Sequence, residues 1–232
     1  MKFENTQVFN FEGALRGMRN PKNSWNKSDS YYGNNEVGLE SYVIGPNDLQ
    51  LAQTLIRAGS EHRKFMRQIF VSVDITAPLY WWKEFDTYKV GTVANSTSTM
   101  HKLASTPITM KCFEMCDFAD NNEESNNYNL HTKTMWSKLI DHLEALRKEF
   151  NETKDKRYWK ELIRLLPESW LQKRTVTMDY ENLLVICSKG QRRFHKLTEW
   201  SKSFIDWART LPYAQELIFI DEYELKEEKE ND

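Results

Sequence analysis

Cysteine is scarce in this chain, with only Cys112, Cys116 and Cys187 among 232 residues. So few thiols, odd in number, argue against a disulfide framework and for reduced cysteines. Cys112 and Cys116 stand as a lone Cys-x3-Cys pair, so a zinc site drawn from them with His101 or His131 has no second pair to support it. Nothing in the spacing supplies a histidine partner that would activate any of the three as a nucleophile. Long apolar runs are also missing: no stretch approaches the ~18 residues of a membrane span. The opening MKFENTQVFNFEG carries charges where a signal peptide needs an apolar block, and the expectation is a cytoplasmic protein. Net charge is nearly absent too, with 32 Lys and Arg against 34 Asp and Glu. Without a global basic field, binding to a nucleic-acid polymer loses ground.

What is present is concentrated between Ser60 and Leu103. Ile69, Val71, Val73 and Ile75 alternate with Phe70, Ser72 and Asp74, the period-2 pattern of a strand with one face on a core. Pro78 ends that pattern and can open a helix over LYWWKEFDTYKV, because proline tolerates only the first helical turn. The run Gly91 to Ser98 follows, small or hydroxyl-bearing throughout except at Val93. Such a run is poor core material, reading either as an ordinary surface loop or as a segment that holds a polar ligand by hydroxyls and backbone amides.

Elsewhere the chain reads as one domain over residues 1–232. Residues 1–36 are polar and aromatic and read as irregular. A short strand passes through Tyr42, Val43 and Ile44, and PNDLQLAQTLIRAG reads as a helix capped by Asn47 and ended by Gly59. Residues 118–130, rich in Asn, Glu and Ser, read as a mobile insertion and a candidate lid. From Thr134 to Phe150 the residues Trp136, Leu139, Ile140, Leu143, Leu146 and Phe150 form an apolar stripe. A second helix from about Arg193 to Leu211 carries Leu197, Trp200, Phe204, Trp207 and Leu211 at spacings of three and four. These aromatic stripes are material for a core or a subunit contact. The tail over residues 222–232 is charged and reads as solvated.

The order of these features resembles the flavin-dependent thymidylate synthase family. In that family a histidine-bearing segment precedes a strand, an Ala-Pro pair opens a helix, and an Arg-His-Arg triplet leads into a serine, a glutamate and a second serine. Here Ala77-Pro78 matches the pair and His62 matches the upstream histidine. The triplet falls on Thr87, Tyr88 and Lys89, the serine on Thr92, the glutamate on Asn95, and the second serine on Thr97 beside Ser98. Only Lys89 keeps a positive charge, and an amide replaces the family's carboxylate. Towards the C-terminus, Arg164-Leu165-Leu166-Pro167 resembles an arginine-bearing helix that runs into a Leu-Pro pair. In SKGQRRFHKLTEW, the charges of Lys189, Arg192 or Arg193 and the carboxylate of Glu199 resemble a later nucleotide-phosphate segment.

The resemblance implies an α+β fold, an antiparallel or mixed sheet packed with long helices. It also implies FAD as cofactor, NADPH and methylenetetrahydrofolate as co-substrates, a pyrimidine nucleotide such as dUMP as substrate, and a homotetramer. His62, Tyr88, Lys89, Thr92 and Asn95 become candidates for the flavin; Thr97, Ser98, Arg164, Lys189, Arg192 and Arg193 become candidates for the nucleotide. Guanidinium suits a phosphate because it makes paired, charge-assisted hydrogen bonds. The plain alternatives are surface ion pairs for the arginines and a half-buried helix-end histidine for His62. Three functions stay open: a divergent reductive methyltransferase of pyrimidine nucleotides, a nucleotide-binding relative without catalysis, and an unrelated α/β protein whose aromatic helices bind a partner.

Overall fold

The computed structural model describes residues 1–34, 40–115, 126–194 and 196–222. In chain order its elements are β1 (Lys2–Phe9), α1 (Phe11–Met18), β2 (Tyr31–Asn34), β3 (Glu40–Val43), α2 (Pro46–Arg57), β4 (Phe70–Pro78), α3 (Leu79–Phe85) and β5 (Val93–Ser96). There follow α4 (Thr99–Lys102), α5 (Asn126–Thr153), α6 (Lys156–Arg164), β6 (Leu171–Asp179), α7 (Tyr180–Ile186), α8 (Lys189–Phe194), α9 (Ile205–Arg209) and α10 (Ala214–Leu217). One four-stranded sheet has the order β1-β4-β6-β5, and β2 and β3 form an antiparallel pair. The architecture is α+β. Among the described residues no helix is long and apolar enough to cross a membrane.

The chain divides into two compact units. The first holds residues 1–2, 75–87 and 95–175. Its core is the stripe of α5, with Leu143 and Leu162 of α6 at zero exposure and Leu103, Ile108 and Phe113 around them. Glu144 ties the 103–113 segment to α5: its carboxylate accepts from the Ile108 amide at 2.8 Å and from Arg147, while Arg147 and Asn151 donate to the Ala104 carbonyl. In the same unit Trp81, Trp82 and Phe85 bury completely on α3, as the helix following Pro78 requires.

The second unit holds residues 3–74, 88–94 and 176–232. Val71 and Val73 of β4 are buried while Phe70 is exposed and Ser72 and Asp74 lie between, so the alternation read from sequence sets the face of the strand. Phe11 of α1 meets Tyr180 and Tyr213 edge-on at 5.5 and 5.6 Å. The Tyr180 hydroxyl donates to the Pro212 carbonyl, and burial raises its pKa far above the ordinary tyrosine value.

Several elements differ from the sequence reading. Residues 2–18 form a strand and a helix where irregular structure was expected. Strand β1, with Asn5 at φ 53°, shows no clean alternation of burial, and Gly13 and Gly17 lower the intrinsic helicity of α1. What stabilises α1 is its buried face of Phe11, Ala14, Leu15 and Met18. Asn47 does not cap α2. The Asp29 side chain accepts instead from the Asn47 and Asp48 amides, a cap delivered from outside the helix. Helix α5 begins at Asn126, so the last five residues of the expected 118–130 insertion are helical, while 118–125 and the tail 223–232 lie outside the described residues. The expected helix over 193–211 is broken into the end of α8, a π-helical segment Glu199–Phe204 and α9. Strand β6 was not recognised in sequence, because Lys173 and Arg174 interrupt its apolar pattern.

Candidate functional site

A large concave surface lies in the second unit. Helix α2 ends at Arg57, and Gly59 at φ 104° reverses the chain in a conformation that side chains rarely adopt. The amides of His62 and Arg63 both bond back to the Gly59 carbonyl. This turn places His62, exposed, on the rim of a cleft of about 840 Å³. Facing it is the segment that follows α1. The cleft has an apolar floor of Leu51, Leu55 and Phe65 and carries Arg19, Lys22, Lys27 and Lys64 against the single acid Glu61. Its volume and mixed lining match a site for a small organic anion.

Behind that wall sits a buried polar cluster. Asp48, at zero exposure in the first turn of α2, accepts from Arg19 Nε at 2.5 Å and from the hydroxyls of Ser28 and Ser30 at 2.6 Å each. Burial pushes the Asp48 pKa up, but the hydrogen bonds from Ser28, Ser30 and Arg19 outweigh it and hold the carboxyl below its ordinary value. The cluster clamps residues 19–30 onto α2 and so fixes one side of the cleft.

The hydroxyl-rich run is anchored at its start. Asn182 Nδ2 donates to the Val90 carbonyl at 2.6 Å, and Asp179 and Asn182 form a reciprocal cap on α7. Gly91, at φ 80°, lies so near this cap that a Cβ there would stand 2.7 Å from Asp179 Oδ2. Tyr88 is half-buried with its ring 5.9 Å from Trp200, and the Thr92 hydroxyl donates to the Tyr88 carbonyl. Lys89 is exposed. In the first unit, Asn95 is exposed on β5, the Thr97 amide donates to the Lys173 carbonyl, and the Ser98 carbonyl accepts from the Lys102 amide. Gln172 Nε2 donates to the Thr97 carbonyl, and Gln172 in turn accepts from Arg174, whose guanidinium lies 4.2 Å over the Trp82 ring.

A smaller cleft of about 430 Å³ in the second unit is lined by Arg57, Arg63, Ser188, Gln191 and Asp221. Arg63 and Arg67 both bind the Glu181 carboxylate, at 3.1 and 2.6 Å. Lys189 borders this region and donates to the Asp221 carbonyl. Arg164, in the first unit, pairs with Glu161 at 3.2 Å, both largely exposed. The side chains of Arg192 and Arg193 lie outside the described residues, on helix α8. Among the described residues no three His, Cys, Asp or Glu side chains gather as a metal site.

No protein-family model matches the sequence, and no curated protein does. Solved structures do match. A flavin-dependent thymidylate synthase ThyX from Helicobacter pylori, complexed with FAD and dUMP, superposes with TM-score 0.62 at 17% identity, covering 95% of this chain and 99% of that one. A second structure of ThyX from the same organism with FAD and dUMP gives TM-score 0.60 at 17% identity, covering 93% and 95%. The fold is that of the ThyX thymidylate synthases.

Within this ThyX-like fold the candidates read from sequence separate into groups. His62 joins the cationic cleft. Tyr88, Lys89 and Thr92 sit on the anchored turn of the second unit, and Asn95, Thr97 and Ser98 belong to the first. The cleft cations Arg19, Lys22, Lys27 and Lys64 were missed, as was Asp48. A signal existed in RNPKNSWNKSDS, basic residues interleaved with amides and hydroxyls, but Arg19 and Asp48 stand 29 positions apart and nothing local joins them.

Proposed function

We propose that this chain is a divergent FAD-dependent thymidylate synthase-like enzyme. It would methylate a pyrimidine deoxynucleotide, dUMP or a close relative, with methylenetetrahydrofolate as carbon donor and NADPH as reductant. The observation that carries this reading is the ThyX-like fold, shared over nearly the whole of both chains with structures that hold FAD and dUMP. The cationic cleft fits a flavin dinucleotide chemically. Its floor of Leu51, Leu55 and Phe65 suits a planar ring system, Lys22, Lys27 and Lys64 suit the phosphates, and His62 stands on its rim. When bound, a reduced flavin supplies hydride chemistry. The chain's own residues are candidates to bind and orient: in the second unit Lys89 offers a charge to an anionic ring or phosphate, Tyr88 a stacking face and Thr92 a hydrogen bond to the flavin, and Lys189, Arg192 or Arg193 a charge to the nucleotide; in the first unit Asn95 offers a hydrogen bond to the flavin, and Thr97, Ser98 and Arg164 are candidates for the nucleotide.

A second reading is favoured by specific residues. Thr87 and Tyr88 replace two cations of the family triplet, Tyr88 is packed against Trp200, and neutral Asn95 replaces a carboxylate. A nucleotide-binding relative without catalysis would show these departures. The visible spectrum of the freshly purified protein, before and after adding FAD and desalting, separates the two. Retained flavin bands together with dUMP-dependent turnover support the enzyme. A colourless protein that dUMP still stabilises thermally supports the binding reading, since a ligand specific to the native state raises its stability by mass action.

A further inference from the structure

We infer that Arg19 takes a phosphate group of the ligand in the 840 Å³ cleft, with Asp48 holding its guanidinium in place. This rests on reading that cleft as the ligand site. Arg19 is 4% exposed, yet it lines both the large cleft and a neighbouring one of about 280 Å³ that contains Arg16, Trp25 and Tyr42. Its Nε is committed to Asp48 and its Nη1 donates to the Ser24 carbonyl at 3.3 Å. The described residues give Nη2 no hydrogen-bond partner.

A guanidinium has five N–H donors, and Arg19 Nη2, which is not among the fully buried atoms, keeps its donors open on the surface of the clefts that Arg19 lines. An oxyanion is the acceptor that the geometry suits. Asp48 cannot swing to serve the free edge, because its second carboxylate oxygen is taken by Ser28 and Ser30. The Arg19–Asp48 pair is itself neutral, so attraction of the anion falls to Lys22, Lys27 and Lys64, against one acid, Glu61. Division of labour follows: the lysines draw the phosphate in, and the preset guanidinium edge orients it. The phosphate is that of a flavin dinucleotide or of a pyrimidine nucleotide.

Calorimetric titration of the full chain with two pairs, FAD against riboflavin and dUMP against deoxyuridine, tests the assignment in wild type and in Arg19→Lys. Lysine keeps the charge but loses the fork. In one pair the phosphate-bearing member binds wild type more tightly, and Arg19→Lys removes roughly tenfold or more of that advantage while leaving the phosphate-free member unchanged. The pair that responds names the source of the phosphate. An advantage undiminished in Arg19→Lys overturns the inference, as does equal binding of both members of each pair by wild type. Should wild type bind none of the four, the flavoenzyme and nucleotide readings fall, and inorganic pyrophosphate decides Arg19 separately: binding lost in Arg19→Lys supports the anion role, and binding unchanged or absent overturns it. If Arg19→Lys loses its native circular dichroism, Arg19→Met combined with Asp48→Asn removes both charges together, and the same comparisons apply.

Discussion

Asp48 carries more of the structure than its place in a short polar helix start suggests. Replacing it with Asn leaves the Arg19 guanidinium buried without its carboxylate, at a cost of about 3 kcal/mol or more. Urea unfolding of Asp48→Asn measures it. Because the folded carboxyl titrates below its unfolded value, its contribution is complete above the ordinary Asp range and is lost as pH falls through the depressed pKa. Wild type therefore loses stability on acidification below about pH 4, and Asp48→Asn shows a shallower acid limb; parallel slopes for the two proteins would contradict this. Gly91 answers to backbone geometry. Alanine there comes closer to Asp179 than van der Waals contact allows, in a left-handed conformation, and a loss of roughly 1–3 kcal/mol in thermal unfolding is expected. Lys89, exposed on the same turn, leaves the fold intact when changed to Ala but weakens flavin retention under the enzyme reading. Undiminished absorbance after desalting would remove that assignment.

Helix α5 shows how one element organises a unit. Its apolar stripe was legible in the sequence because Leu143, Leu146 and their neighbours recur at helical spacing, and the same residues form the core. Leu143→Ala opens a cavity at a fully buried site, with an expected loss of about 2–5 kcal/mol in denaturant unfolding. What periodicity could not show is the polar strap on the partly exposed side of the helix. Hydrogen bonds from Arg147 first, then from the Ile108 amide, overcome burial and hold the Glu144 carboxyl down to about 2. Its stabilisation is present above about 4.5 and is lost as pH falls towards about 2. Glu144→Gln should expose the Ile108 amide to hydrogen exchange while leaving the middle of α5 protected. Unaltered protection at Ile108 would show that the strap does not hold the 103–113 segment.

For the molecule as a whole, a ThyX-like fold at 17% identity is possible because a fold depends on burial patterns rather than on particular polar residues. Val71 and Val73 in the second unit and Leu143 and Leu162 in the first supply such buried apolar faces. A homotetramer is expected from the family resemblance. Sedimentation of the purified chain checks it, and a monomer at all concentrations would count against the tetramer.

Strand β4, the helix opened by Pro78 and the stripe of α5 were determined by the sequence alone, because hydrophobic periodicity and proline chemistry act over a few neighbouring residues. The cap of α2 by Asp29, the clamp of Arg19 on Asp48 and the seating of Gly91 against Asp179 were decided only in three dimensions. Each joins groups from about 18 to 88 positions apart, and a hydrogen bond specifies atoms within 3 Å rather than any spacing along the chain.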